Sequence, residues 1–271
     1  MAEFENPFLI KSQNPFGRID QVIAVMSGKG GVGKSSVTAL LASALKERGF
    51  QVGILDADIT GPSIPKLFGV AGRLQTYDGH IIPAESGHGV KMVSSNLLLE
   101  NEEDPVIWLG PLVGGMIKQF FEEVDWGDLD FLLVDLPPGT GDVPLSVMQT
   151  LPVTGLVMVS SPQKLVAMIV KKAIHMAERM QIPVVGLIEN YSYFQCPDCR
   201  KRVEIFGASR AQSIAAEVRI PLLGRLPIRP ELAEKGDAGQ IEAVHRDEPE
   251  FFKEVTDNFL VHSNCKTNCQ L

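Results

Sequence analysis

The chain has 271 residues, enough to bury a sizeable core, and its 45% hydrophobic and 21% charged content is that of a folded protein, so 18 prolines and 25 glycines read as turns rather than disorder. A net charge of -8 repels phosphate backbones and anionic lipid, which removes nucleic acid and membrane surfaces from the expected partners. No run is apolar enough to span a bilayer, the first residues carry acids and prolines where a secretory signal needs a basic end, and four cysteines are too few for a disulfide scaffold; a cytoplasmic protein with reduced thiols is expected.

Along the chain, Gln21 to Ser27 is a short β-rich apolar run. After a glycine-rich stretch, Val37, Leu40, Leu41, Ala44 and Leu45 recur at helical spacing until Gly49. Gln51 to Asp56 predicts the next buried strand, broken afterwards by Gly61, Pro62 and Pro65. Between Tyr77 and Leu99 the runs HIIPAE and GVKMVSS flank a turn and predict a hairpin or edge pair. Phe131 to Asp135, Gly155 to Ser160, Val184 to Ile188 and Leu222 to Leu226 read as strands covered on both faces. A helix is predicted from about Pro162 to Met180, capped by Ser161, with Val166, Ile169, Val170, Ala173 and Ala177 as its buried stripe. Alternating strands and helices specify an α/β fold, a doubly wound, mostly parallel sheet with helices on both faces. The expected layout is a lead segment at 1–20, one nucleotide-binding domain at 21–262 and a cysteine-bearing tail at 263–271.

The stretch Gly28-Lys29-Gly30-Gly31-Val32-Gly33-Lys34-Ser35, followed by Ser36, satisfies G-x-x-x-x-G-K-[ST] between a predicted strand and a predicted helix. Its glycines let consecutive N–H groups surround a polyphosphate at a helix start. Lys34 neutralises β and γ oxygens, and the Ser35 hydroxyl suits Mg²⁺. Asp56 and Asp58 end a buried strand beside that loop, where paired acids can orient magnesium ligands and an attacking water. Asp135 ends another strand, and Pro137 to Asp142 behind it suits a segment with two arrangements set by the γ-phosphate.

Cys196-Pro197-Asp198-Cys199 places two thiols at metal-gripping distance. A [4Fe–4S] cluster takes four cysteines, so one pair is half a site that a symmetric dimer would complete. Structural zinc, with Cys265 and Cys269 as further ligands, and dithiol redox chemistry are the alternatives for the same spacing.

With GKGGVGKS, DADITGPSIPKLFG, WGDLDFLLVDLPPGTGD, ENYSYFQCPDC and PLLGRLPIRP in this order, the chain from about Ile23 to Pro230 resembles the Mrp (ApbC) family of deviant P-loop ATPases, relatives of MinD. The resemblance implies an ATP-hydrolysing iron–sulfur carrier or scaffold, a homodimer that holds a [4Fe–4S] cluster through Cys196 and Cys199 and serves apo iron–sulfur proteins. It implies further that Lys29 reaches the nucleotide of the other subunit, that Asp58 positions water, that Asp56 is a magnesium-side acid, and that Asn190 reads the adenine edge. A MinD-like positioning ATPase and a zinc-stabilised ATPase switch are the rival functions.

Overall fold

The computed structural model describes residues 12–59, 61, 63–98 and 110–263. The first half of the chain forms β1 (Ile19–Ser27), α1 (Lys34–Glu47), β2 (Val52–Asp56), α2 (Ile64–Leu67), β3 (Gln75–Tyr77), β4 (His80–Ile82), β5 (Ala84–Glu85), β6 (Lys91–Ser94), α3 (Gly110–Glu122) and β7 (Leu129–Asp135). The second half adds α4 (Asp142–Thr150), β8 (Gly155–Ser160), α5 (Lys164–Arg179), β9 (Val184–Gln195), β10 (Arg202–Val203), α6 (Ala211–Glu217) and β11 (Leu222–Ile228). Three helices follow: α7 (Pro230–Asp237), α8 (Ala243–Asp247) and α9 (Lys253–His262).

The main sheet has the order β10-β9-β8-β1-β7-β2-β6-β5, with β11 also paired to β9. Its central pairs are parallel: β1 lies between β7 and β8, and β2 between β7 and β6. Alternation along β1 explains why helices cover both faces. Val22, Ala24 and Met26 face one cluster with Ile117 and Phe120 of α3, Val147 of α4 and Ile174 of α5. Ile23 and Val25 face the other, with Leu40 and Leu41 of α1 and Phe259 of α9. Both clusters are buried, as the apolar strand runs require.

Three details differ from the sequence reading. First, the predicted pairing of HIIPAE with GVKMVSS holds only for its Ala84–Glu85 end, which lies antiparallel to Lys91–Met92; the His80–Ile82 part turns back on Gln75–Tyr77 in a separate two-stranded sheet. Second, the long helix begins at Lys164 with Gln163 as its cap residue and no side-chain cap bond, so Ser161 is not the cap; among the described residues its buried Oγ has no hydrogen-bond partner. Third, β9 runs seven residues past Ile188, to Gln195. The polar residues that seemed to end it are buried and mutually paired: Ser192 Oγ donates to Glu189 Oε2 at 2.6 Å, and Arg225 Nε of β11 donates to Ser192 Oγ at 2.8 Å. Hydrogen bonding lets these groups replace apolar ones inside the sheet.

Candidate functional site: a phosphate loop and a thiol turn

The loop between β1 and α1 gathers at the C-terminal edge of the parallel sheet, where open α/β sheets bind ligands. Gly31 and Gly33 both take φ of +76°, closed to most side chains, and a Cβ on Gly33 would stand 2.3 Å from Asn190 Nδ2. Helix α1 starts at Lys34, so its first amide groups point into a cavity of about 290 Å³ lined in part by Ser27, Gly30, Lys34, Ser35, Ser36 and Asp58. Val32 is buried beneath the loop, and Gly28 packs so tightly on α5 that a Cβ would lie 2.6 Å from Ile169 Cγ2.

The predicted acids converge on this loop. Lys34 Nζ donates to Asp135 Oδ2 at 2.6 Å and lies 3.8 Å from Asp58 Oδ2. Ser35 Oγ donates to the same Asp135 oxygen at 2.6 Å. The other Asp135 oxygen is 2.7 Å from Thr38 Oγ1, whose single proton is shared with the Lys34 carbonyl at 3.0 Å. Asp56 accepts from the Asp58 and Ile64 backbone amides and from Ser94 Oγ. Its pKa is nevertheless pushed up to about 7, by burial first and by the Asp135 charge second, with Lys34 and the amide donors pulling the other way. Ser35 thus offers a hard oxygen beside a fully buried carboxylate, a donor set that fits a magnesium ion.

Three residues at the site had no signal in the sequence. Thr38 reads as an ordinary helix position. Gln163 accepts a close hydrogen bond from Lys29 Nζ, which ties the loop to the start of α5. Tyr191 lines the phosphate cavity. Asn190 stands against the loop rather than free: its Nδ2 donates to the Val32 carbonyl at 3.0 Å, and its Oδ1 accepts from Tyr191 N.

Beyond Tyr191, β9 leads to the thiol turn. Cys196 N donates to the Lys201 carbonyl and Arg200 N to the Cys196 carbonyl, closing a loop that β10 extends as a short antiparallel strand. Cys199 is exposed and Cys196 half-buried, and among the described residues neither is in a disulfide. Backbone amides of Cys199 and Asp198, aimed at the Cys196 sulfur, lower its pKa. Among the described residues no group of three or more His, Cys, Asp or Glu side chains is arranged to hold a metal, so the turn offers two ligands. Cys265 and Cys269 lie outside the described residues. Between the ends of β9 and β11 is a second cavity of about 550 Å³, lined by Phe194, Cys196, Arg200, Pro227 and Arg229 among others.

A parallel sheet carrying this loop, with lysine and hydroxyl at the helix start and acids at two neighbouring strand ends, defines a nucleotide-binding P-loop protein. Residues 18–260 match the family described as ParA: NUBPL iron-transfer P-loop NTPase, and the chain belongs to that family. The iron-sulfur cluster carrier protein of Clostridium perfringens is 45% identical over 86% of this chain and 85% of its own length. The iron-sulfur cluster transfer protein NUBPL of Mus musculus is 40% identical over 85% of this chain and 72% of its own. Among solved structures, a nucleotide-binding protein of Archaeoglobus fulgidus in complex with ADP, with cobalt, is 46% identical, with a TM-score of 0.77 over 86% of this chain and 92% of that one. The cell-division ATPase MinD of Pyrococcus furiosus, 19% identical at a TM-score of 0.62 over 91% of this chain and 98% of that one, shares the fold. Among the described residues no helix is long and apolar enough to cross a membrane.

Proposed function

We propose that this protein is an ATP-hydrolysing iron–sulfur carrier of the cytoplasm: two copies pair, hold one [4Fe–4S] cluster between their Cys196 and Cys199 thiolates, and deliver it to apo-proteins. The observation that carries the reading is an exposed two-thiol turn on the same strand that braces the phosphate loop, offering half of a cluster's ligands. The carrier and transfer names of the C. perfringens and mouse relatives support the cargo.

In this reading the Gly28–Ser36 loop binds the triphosphate, and Lys34 exchanges its contact with Asp135 for β and γ oxygens. Asp58 orients a water that attacks the γ-phosphorus as the β–γ bridging bond breaks, giving ADP and phosphate. Ser35 would hold the magnesium ion, with Asp135 and Asp56 orienting its shell; bound there, the ion neutralises charge on the phosphates. Lys29 leaves Gln163 to reach the nucleotide of the paired copy, and Asn190 faces the adenine side. Rearrangement of the Pro137–Asp142 loop on hydrolysis alters how the two copies sit around the thiols.

The deciding experiment is oxygen-free isolation and reconstitution, followed by iron, sulfide and zinc analysis and molar mass by light scattering. A dimer with four iron and four sulfide is expected. Cys196→Ala is expected to lose cluster absorbance while keeping ATP hydrolysis. Zinc alone in the wild type, full cluster loading in Cys196→Ala, or a monomer under every ligand condition overturns the reading.

A further inference from the structure

Five residues other than glycine take positive φ among the described residues, and four of them, Asp78, Gln181, Arg200 and Arg219, lie outside strands. The fifth, Tyr191 at +56°, stands inside β9. Bulky residues avoid this conformation, and where one is held in it the surrounding structure has over-determined it, commonly at a binding site. The pairing with β11 shows how it is imposed. Arg225 pairs with Glu189 and Pro227 with Tyr193, so two steps on β11 answer four on β9, and the surplus is a bulge at Asn190–Ser192. A bulge re-aims side chains that a regular strand would send elsewhere.

Here the re-aimed side chain is the Tyr191 ring, which lines the phosphate cavity and packs on Gly33; a Cβ there would stand 2.8 Å from the Tyr191 hydroxyl. Asn190 pins the bulge to the loop through Val32. The Tyr191 hydroxyl makes no hydrogen bond among the described residues. It therefore has a donor to give at the wall of a site built for oxyanions. Along β9, Tyr191 lies between that cavity and the larger one at the β9 and β11 ends. Lys34 and Asp58 mark the end of the phosphate cavity where β and γ oxygens belong, so the strand side belongs to the phosphate next to the sugar.

We propose that the Tyr191 phenol donates a hydrogen bond to the sugar-proximal phosphate of the bound nucleotide, which makes Tyr191 a further nucleotide-binding residue of this chain. The proposal rests on the nucleotide-binding part of the reading above and is independent of what the cysteines hold. Both ADP and ATP carry the recognised phosphate, so both lose the same contact when the hydroxyl is removed.

The test is calorimetric titration of the full chain with Mg·ADP, alongside steady-state ATP hydrolysis, for wild type, Tyr191→Phe and Tyr191→Gly. Tyr191→Phe is expected to raise Kd for Mg·ADP about tenfold, the lower end for a hydrogen bond to a charged acceptor, and to raise KM for ATP in parallel with kcat unchanged. Tyr191→Gly, which tolerates the same φ without strain, is expected to weaken binding at least as much while its far-UV circular dichroism matches that of the wild type. An unchanged Kd in Tyr191→Phe overturns the proposal, as does a weakening seen only in Tyr191→Gly, which would assign the ring a packing role. If wild type binds Mg·ADP and Tyr191→Phe matches it, this inference fails and the carrier reading stands; if Tyr191→Phe weakens binding but the isolated protein holds zinc alone, the carrier reading fails and this one stands.

Discussion

The phosphate loop and the thiol turn sit on the same edge of one sheet, yet they are built in opposite ways. At the loop every charged group is answered within the chain: Asp135 takes three donors, Asp56 takes three more, and Lys34 lies between two carboxylates. At the turn neither thiol is in a disulfide among the described residues, one of them is exposed, and the framing is a few backbone bonds. A ligand site braced this way is preorganised, whereas two thiols facing open space leave room for ligands that the turn does not itself supply. The contrast teaches that the phosphate cavity is braced by this chain's own side chains, whereas the thiol turn offers two potential ligands and no more among the described residues.

The largest expected break in this comparison is Lys34→Ala. Losing the phosphate-directed cation and leaving Asp135 and Asp58 facing each other should cut ATP hydrolysis by roughly 100-fold or more, read by phosphate release. Next is Thr38→Val, which strips one oxygen of the fully buried Asp135 of its donor. It should cost about 1–3 kcal/mol of stability in denaturant titration, and Thr38→Ser should recover most of it.

A pH series sharpens the comparison further. Asp56 holds its proton up to about pH 7 in the folded chain against 3.8 as its ordinary value, so the folded state binds more protons in between. Its contribution to stability is full below pH 3.8 and is lost as pH rises through about 7. Asp56→Asn should remove that falling limb, visible as a flatter thermal midpoint between pH 5 and 8 in magnesium-free buffer, whereas the same series on a thiol-turn variant should keep it. The smallest effect is expected for Cys196→Ala in metal-free buffer: the turn lies at the surface, so the stability change should stay within about 0.5 kcal/mol.

Much of this division was legible in the sequence, because the loop, the acids at strand ends and the cysteine spacing are local patterns with local reasons. The two-faced sheet also followed, since unbroken apolar runs such as that of β7 have few other uses. What could not be read was pairing at a distance. Glu189 and Ser192 look like the end of a strand until Arg225 of β11 supplies their partner. Ser161 has the composition of a helix cap, but α5 begins three residues later. Thr38 and Tyr191 became site residues only once Asp135 and Gly33 were brought beside them, and no periodicity encodes that.

The length of β9 has a consequence for how energy moves through the molecule. From Tyr191 at the phosphate wall to Gln195 beside the first thiol, four strand residues span about 13 Å at the usual rise per residue. The phosphate cavity and the first thiol are therefore separate places on one strand. Under the proposed carrier reading, any influence of hydrolysis on the thiols would have to arrive as displacement along a rod of paired backbone, a mechanical coupling indifferent to which metal the thiols hold.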